Sequence, residues 1–180
     1  VQSSYLTRFG SGIVDGVINC IPWLGTPELD QYLHDTPFVV YNRANDANCT
    51  LALDYTSGVQ SALEYLWSLD HRKIGTILGP KDDAALHLRR LGCERFWQGK
   101  GRAAFPEEWL VHGDWHMPSG QAQAGKLLDL GCTALFAANE LMALGAIRGA
   151  GMRGLRVPDD LSVVGSDGSI LGITANPSLT

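Results

Sequence analysis

The stretch TALFAANELMALGAIRGAG, residues 133–151, contains a junction of strand and helix that decides the fold. Its first part, Ala134–Ala137, is a short apolar run typical of a buried strand, and an apolar helical pattern begins directly after Asn139 and Glu140. Asn139 can cap that helix by accepting hydrogen bonds from its first free amides. It can also contact a ligand, because open parallel sheets bind ligands outside the carboxyl ends of their strands.

The alternation of strand and helix recurs along the chain. Segments with amphipathic helical spacing, roughly 10–16 residues long, separate the strand-like runs. Those runs occupy residues 16–21, 37–42, 73–79, 133–138 and 161–167, and a further short strand and loop are predicted over EWLVHGDW, residues 108–115. The pattern predicts β-α-β units and a parallel sheet, and therefore an α/β fold. No further helix is predicted after Gly154.

The composition describes an ordinary globular protein, since 45% of the 180 residues are apolar and 18% are charged. A net charge of -5, with the 14 basic residues scattered, argues against a nucleic-acid surface within these residues. The chain has no apolar run long enough to span a membrane. Its four cysteines form no C-x-x-C pair and are expected to be free or buried thiols in a reducing compartment.

The segment VHGDWHM, residues 111–117, raises the alternative of a metal site through His112, Asp114 and His116. No third histidine or cysteine stands nearby, and Gly113 and Pro118 mark a loop, so no metal is predicted. The sequence also has no G-x-G-x-x-G after a first strand, no P-loop and no G-x-S-x-G elbow. We therefore expect neither an enzyme nor a cofactor.

Polar side chains follow most of the predicted strands. Amides and carboxylates on one rim suit a polyhydroxylated or otherwise polar neutral ligand, and Trp115 offers a stacking face for a sugar or base ring. The strand ends are Tyr41-Asn42, Gly79-Pro80, Asp114-Trp115, Asn139-Glu140 and Ser166-Asp167. Asn, Asp and Gly are also common turn and cap residues, which remains the alternative at each position.

Several motifs, in order, carry a resemblance to a known family. They are ALEYLWSLDHRKIGTILGP, LRRLG, GDWHMPSG, TALFAANELMALGAI, LRVPDDLSVVGSDGS and NPSLT. Over about residues 13–180 the chain resembles the effector-binding core of the LacI/GalR family of bacterial transcription regulators. The resemblance implies a type I periplasmic-binding-protein-like fold, with two Rossmann-like subdomains and a small ligand in the cleft between them.

The resemblance also implies a division of the chain. Residues 1–54 resemble part of the N-terminal subdomain, which is incomplete, and residues 55–180 resemble the C-terminal subdomain. Family members carry a helix-turn-helix headpiece and bind operator DNA as homodimers. That headpiece is not among these residues, so operator DNA would be contacted only through it. The implied protein is cytoplasmic.

Five ligand-binding residues follow from matching positions in the family's motifs: Asn42, Arg89, Trp115, Asn139 and Asp167. Arg89 lies three residues before the helix glycine and would contact ligand hydroxyls. The alternative for Arg89 is a solvated helix arginine, although its neighbour Arg90 is expected to be the more solvent-facing of the two. The alternative for Trp115 is a tryptophan of the core. The sequence departs from the family pattern at three rim positions. Glu140 replaces the usual Asp and adds a methylene to the rim, and Ser166 and Gly168 reshape the pocket, so the ligand cannot be copied from a relative.

The helix after Asn139 is apolar on more than one face. One face would pack on the sheet, and by the family resemblance the other would pack against the same helix of a second subunit. The predicted interface residues are Leu141, Met142, Leu144 and Ile147. The alternative is an internal helix covered on both sides.

The favoured function is the sensor of a transcriptional regulator, a repressor, that binds a small effector of the sugar or nucleoside class. The alternative is a periplasmic sugar-binding receptor for transport or chemotaxis, which has the same fold. The helix at 141–150 and the segment LRVPDDLSVVG favour the regulator.

Overall fold

The computed structural model describes residues 2–21, 24–41, 50–101 and 105–179. They form two compact units, Val1–Leu53 and Asp54–Thr180. Each unit contains helices and a parallel sheet, which confirms the predicted α/β class. Asn42, one of the predicted ligand residues, lies outside the described residues, as does Cys49.

The first unit is a three-stranded parallel sheet in the order β1-β2-β3. Its core is formed by Leu6, Leu24, Leu29, Leu33 and Val40. The opposite face of the sheet leaves Ile18, Val39 and Leu51 exposed. Its elements are α1 (Gln2–Arg8), a π-helical turn (Phe9–Ile13), β1 (Val17–Asn19), α2 (Thr26–Leu33), β2 (Phe38–Tyr41) and β3 (Thr50–Leu51).

The second unit is a four-stranded parallel sheet in the order β5-β4-β6-β7. Its elements are α3 (Tyr55–Ser68), β4 (Ile74–Leu78), α4 (Leu86–Gly99), a 3-10 turn (Glu107–Trp109), β5 (Leu110–His112), α5 (Met117–Asp129), β6 (Ala134–Ala137), α6 (Glu140–Met152), β7 (Ser162–Val164) and α7 (Ile170–Thr174). Helix α7 corrects the prediction of no helix after Gly154, because five residues are too few to show a helical period.

The central strands of the second unit are buried along their whole length. Every residue of β4 and β6 is buried, which explains why both read as continuous apolar runs rather than alternating ones. Beside them lies an aromatic cluster in which Trp97 contacts Phe96, Trp67 and Trp109, with ring centroids 5.0, 5.9 and 5.4 Å apart. Phe96 and Trp97 are fully buried, so this cluster supplies much of the apolar area that stabilises the unit.

Helices α5 and α6 pack against each other through glycines. A Cβ at Gly120 would overlap the backbone of Met142, and a Cβ at Gly145 would overlap the carbonyl of Met117. The two backbones can approach this closely only because neither glycine carries a side chain.

The same packing corrects one predicted interface residue. Met142 is fully buried, because its position on α6 turns it toward Gly113 and Gly120. It therefore presents no surface to a second chain. The side chains of Leu141, Leu144 and Ile147 are half-buried and remain available on the outer face of α6.

The described cysteines are free thiols, as predicted. Cys93 and Cys132 are buried, and burial raises the pKa of their thiols to about 12 and about 11. Cys20 is free and exposed. Separately, no helix within the described ranges is both long enough and apolar enough to cross a bilayer.

His71 ties together the amino ends of the strands in the second unit. Its Nδ1 lies 2.9 Å from the hydroxyl of Thr133, just before β6, and its Nε2 lies 2.9 Å from the hydroxyl of Ser162 at the start of β7. A neutral imidazole has one donor and one acceptor nitrogen, so it can complete both hydrogen bonds with rotatable hydroxyls.

Acidification is expected to destabilise the fold through His71. Burial first, and the charge of Arg72 second, lower the pKa of His71 below its ordinary value of 6.5. Between that lowered pKa and 6.5 the unfolded chain binds more protons than the folded one, so the free energy of unfolding rises with pH across this window. The stability that neutral His71 contributes is fully present above pH 6.5 and is lost as the pH falls through this window. Urea denaturation across this range should give a weaker pH dependence for His71→Gln; identical pH profiles for the two proteins would contradict this role.

Candidate functional site

The carboxyl ends of the four strands in the second unit meet at one edge, and the predicted ligand residues of this unit gather there. Arg89 contacts the ring of Trp115, and the amide of Asn139 bonds to the backbone of Trp115. Asp167 accepts a hydrogen bond from the backbone of Glu140, next to Asn139. The structure therefore brings Arg89, Trp115, Asn139 and Asp167 into one continuous set of contacts.

Arg89 points inward from α4 and is 8% exposed, so the alternative of a solvated arginine is wrong. Its guanidinium donates to the carboxylate of Asp83. It also lies over the rings of Tyr55 and Trp115, with its central carbon 3.9 and 5.1 Å from their centroids. Stacking on two aromatic faces fixes the plane of the guanidinium and leaves its edges for hydrogen bonds.

The neighbouring arginine faces the other way. Arg90 pairs with Glu94 and Glu107 on the surface, with 39% of its side chain exposed. Those contacts raise the pKa of Arg90, chiefly through its hydrogen bond to Glu107. Arg89 is thus buried and Arg90 is the more solvent-facing of the two, whereas contact of Arg89 with a ligand stays a prediction.

The loop that carries Trp115 is tightly constrained. Trp115 has φ of 71°, a left-handed conformation that is unusual for a tryptophan and costs about 1–2 kcal/mol. The loop is held by Asp114, whose carboxylate accepts from the amide of His116, and by Ser119, whose hydroxyl accepts from the amide of Asp114. A side-chain hydrogen bond between Ser119 and the Asp114 carboxylate, and second the bond from the amide of His116, lower the pKa of Asp114. The constraint places the indole over Gly79, partly buried against the core and partly exposed.

Gly79→Ala is expected to displace the Trp115 ring. A Cβ at position 79 would overlap the indole, which must rotate or shift to make room. We expect a changed near-ultraviolet circular dichroism spectrum and about tenfold weaker binding of any ligand that stacks on this ring. Gly99→Ala is the control, because a Cβ at that position meets nothing within 4 Å. If Gly79→Ala and Gly99→Ala give the same spectrum as the unaltered protein, the proposed contact is wrong.

Asn139 caps α6 and also fixes the Trp115 loop. Its Oδ1 accepts from the amide of Met142 at 2.9 Å, and its Nδ2 donates to the carbonyl of Trp115, also at 2.9 Å. The capping interpretation is therefore observed. One amide hydrogen and one lone pair of the side chain remain for a ligand, which keeps contact with a ligand as a prediction.

Asp167 shares the amino end of α6. Its carboxylate accepts from the amide of Glu140 at 3.3 Å, a favourable place for a negative charge. Although the residue as a whole is exposed, shielding of its carboxyl group raises its pKa, and the charge of Glu140 adds to that rise. The bond from Glu140 and the charge of Arg89 act in the opposite direction.

Glu140 holds the segment that follows β7. The residue is 5% exposed, and its carboxylate accepts from the amide of Ser169 at 2.7 Å and from the hydroxyl of the same residue. The longer side chain at position 140, expected to add a methylene to the rim, instead reaches across to Ser169 and positions the turn that carries Asp167.

Two contributors to the site were missed by the sequence reasoning, Asp83 and Tyr55. The run DDAALHLRRLG, residues 82–92, predicts a helix with Asp82 and Asp83 in its first turn. In the structure α4 begins only at Leu86, and Asp83 lies in the preceding turn. Tyr55 is the first residue of α3 after its cap Asp54, and nothing in the local pattern indicates that its ring faces Arg89. Six residues separate Asp83 from Arg89, and this is not a spacing that brings two side chains together on a helix, so the sequence pattern gave no signal for the pair.

His112 and Asp114, two residues of the alternative metal site, have hydrogen-bond partners of their own. Nδ1 of His112 lies 2.9 Å from the carbonyl of Gly79, and Asp114 closes its own loop. Within the described part of the chain, no group of three His, Cys, Asp or Glu residues is arranged to hold a metal ion. The site offers an aromatic face, a guanidinium, an amide and carboxylates, which suit recognition of a polar molecule through hydrogen bonds.

The model of the periplasmic binding protein-like domain family matches residues 63–180, more than half of the chain. The lac repressor dimer bound to operator and the anti-inducer ONPF is similar in structure, with a TM-score of 0.80 and 26% identity. The similarity covers 99% of this chain and 63% of that one. The chain belongs to the LacI family. The predicted fold class and family are thereby confirmed.

Other LacI-family relatives point the same way. The HTH-type transcriptional regulator DegA of Bacillus subtilis is 38% identical over 133 residues, which are 72% of this chain and 39% of DegA. The complex of the transcriptional regulator CelR with cellobiose has a TM-score of 0.78 and 30% identity, over 99% of this chain and 57% of CelR. These relatives are transcriptional regulators, which favours the regulator over the transport receptor. The chain spans well under two thirds of the length of DegA.

Proposed function

We propose that this LacI-family chain is the effector-binding domain of a bacterial transcriptional regulator, a repressor that binds a sugar or nucleoside. The cluster of Arg89, Trp115, Asn139 and Asp167 at the carboxyl edge of the second unit carries the proposal. An aromatic face beside hydrogen-bonding donors and acceptors is the usual composition of a site for polyhydroxylated ligands. CelR, solved with cellobiose, supports the sugar class.

The proposed regulator works by coupling ligand binding to DNA binding. Residues 1–54 would form part of an N-terminal subdomain and residues 55–180 a C-terminal one, and the effector would favour one arrangement of the two. A headpiece elsewhere in the full-length protein would contact the operator, in the cytoplasm. The coupling is no larger than the difference in the ligand's affinity for the two arrangements.

Isothermal titration calorimetry tests the ligand class. The protein is titrated with pentoses, hexoses, disaccharides and nucleosides, and Asp167→Asn is titrated beside it. Saturable binding of one compound, weakened in Asp167→Asn, would establish the sensor and name its ligand. Asp70→Asn serves as the matched control, because the Asp70 side chain is 94% exposed and precedes the amino end of β4, at the opposite edge of the sheet. Absence of binding across the panel would contradict the sugar-or-nucleoside proposal.

The outer face of α6 is proposed as the contact between two copies of the chain. Leu141, Leu144 and Ile147 are apolar and half-buried there, and the related lac repressor was solved as a dimer. An apolar patch of this kind gains stability when a second copy removes it from water.

Leu144→Asp is expected to convert the dimer to a monomer, because a carboxylate would be buried without a partner in the interface. Sedimentation velocity at tens of micromolar measures this change. Leu69→Asp is the control, since Leu69 is an exposed leucine at the end of α3 and away from α6. A monomer for the unaltered protein, or equal dissociation in both variants, would contradict the proposed interface.

A further inference from the structure

Asp83 is built into the candidate site by its backbone as well as by its side chain. Its amide donates to the carbonyl of Pro80 at 3.1 Å, and its carbonyl accepts from the amide of Leu86 at 3.0 Å. The turn therefore fixes the carboxylate where it pairs with Arg89. Only 19% of the Asp83 side chain and 9% of the Arg89 side chain are exposed, so solvent screens this pair weakly.

The charges of the cluster are unbalanced. The guanidinium of Arg89 stands against the carboxylates of Asp83, Glu140 and Asp167. Asp167 experiences both the charge of Glu140 and that of Arg89, so these groups are close enough to act on one another. Arg90 does not add positive charge to the cluster, because its guanidinium forms ion pairs with Glu94 and Glu107 on the surface.

A phosphate group and a hydroxyl group meet this cluster differently. A phosphate group is mainly a hydrogen-bond acceptor, so it would compete with the Asp83 carboxylate for the guanidinium of Arg89. Its negative charge would also be repelled by the nearby carboxylates. A sugar hydroxyl donates to a carboxylate and accepts from a guanidinium at the same time. An aspartate beside the arginine thus favours neutral hydroxyl-bearing ligands and opposes anions.

We propose that Asp83 determines specificity at this site: by pairing with Arg89 it excludes phosphorylated ligands and admits uncharged polyhydroxylated ones. The inference rests on the proposed function, because it assumes that the effector binds at this cluster. It narrows the effector to a neutral sugar or nucleoside, as opposed to a sugar phosphate or a nucleotide.

The test uses inorganic phosphate and glucose 6-phosphate as probes, titrated by calorimetry at low ionic strength. Asp83→Asn is expected to bind at least one probe about tenfold or more tightly than the unaltered protein, because it frees Arg89 and removes a repelling charge. Asp82→Asn is the matched control: it makes the same change of net charge one residue away, on an exposed side chain. We expect it to behave like the unaltered protein. Adding Arg89→Ala to Asp83→Asn should remove the new binding.

Three outcomes would overturn the proposal. In the first, the unaltered protein and Asp83→Asn bind the probes with equal affinity. In the second, Asp83→Asn binds neither probe, and in the third, Asp82→Asn gains as much affinity for the probes as Asp83→Asn does. Far-ultraviolet circular dichroism checks the fold of each variant, and Asp83→Ser replaces Asp83→Asn if the latter is unfolded. The titrations with neutral sugars and nucleosides test the proposed function separately. If none of those compounds bound, the proposed ligand class would be wrong, whereas the phosphate comparison would still decide the role of Asp83.

Discussion

Gly145→Ala is expected to lower the free energy of unfolding by about 2–3 kcal/mol, because the new methyl group overpacks the contact between α5 and α6. The atom it would overlap is the backbone carbonyl of Met117, which cannot rotate away as a side chain can. The two helices must therefore move apart, and the side chains packed between them and the sheet lose contacts. Denaturation by urea, monitored by circular dichroism, measures the change.

Gly151→Ala is the matched control on the same helix. A Cβ at position 151 meets nothing within 4 Å, so alanine brings only its better helix propensity. We expect this variant to be unchanged or more stable by up to about 1 kcal/mol. If both glycine variants lost the same free energy, close helix packing would not be the reason for Gly145.

Arg89→Ala is expected to weaken ligand binding strongly and to destabilise the fold. It leaves the carboxylate of Asp83 in a largely buried place without its partner, and removing one member of such a pair costs on the order of 3 kcal/mol. The stacking on Tyr55 and Trp115 is lost at the same time. For the ligand found by calorimetry we expect an affinity loss of about a hundredfold or more.

Arg90→Ala tests whether that effect belongs to the site. Arg90 is the next residue on the same helix and carries the same charge, but its partners are surface glutamates. Exposed ion pairs contribute roughly 0–1 kcal/mol, so this variant should stay close to the unaltered protein in both stability and binding. Arg89→Lys adds a second measure, since lysine keeps the charge without the planar guanidinium. Full binding by Arg89→Lys would show that the stacked plane is not needed.

The sequence predicted the parts of the site that depend on strand position. Buried parallel strands are read from apolar runs, and their carboxyl ends meet at one edge whatever the loops do. Asn139 and Asp167 each follow such a run directly, so their places were predictable. Arg89 and Trp115 followed from the family resemblance, and the structure joins them to the other two.

The parts that depend on turns and helix faces were not predictable in the same way. Asp83 reaches Arg89 because the chain turns between Pro80 and Leu86, and helical periodicity cannot detect that turn. Met142 was assigned to the wrong face of α6, because an almost wholly apolar helix does not reveal which side the glycines of α5 will cover. Side-chain reach decided the role of Glu140, whose partner Ser169 lies 29 residues away in the chain.

Helix α6 connects the candidate ligand site with the proposed contact between two copies of the chain. Asn139 begins it beside the candidate ligand site, and Leu144 and Ile147 stand on its outer face, so about 12 Å of one rigid helix separates Asn139 from Ile147. A ligand that pulls on the cap would displace the surface offered to the second copy. Thermodynamic linkage then requires reciprocity: whatever factor the effector applies to the dimerisation constant, dimerisation applies to the affinity for the effector.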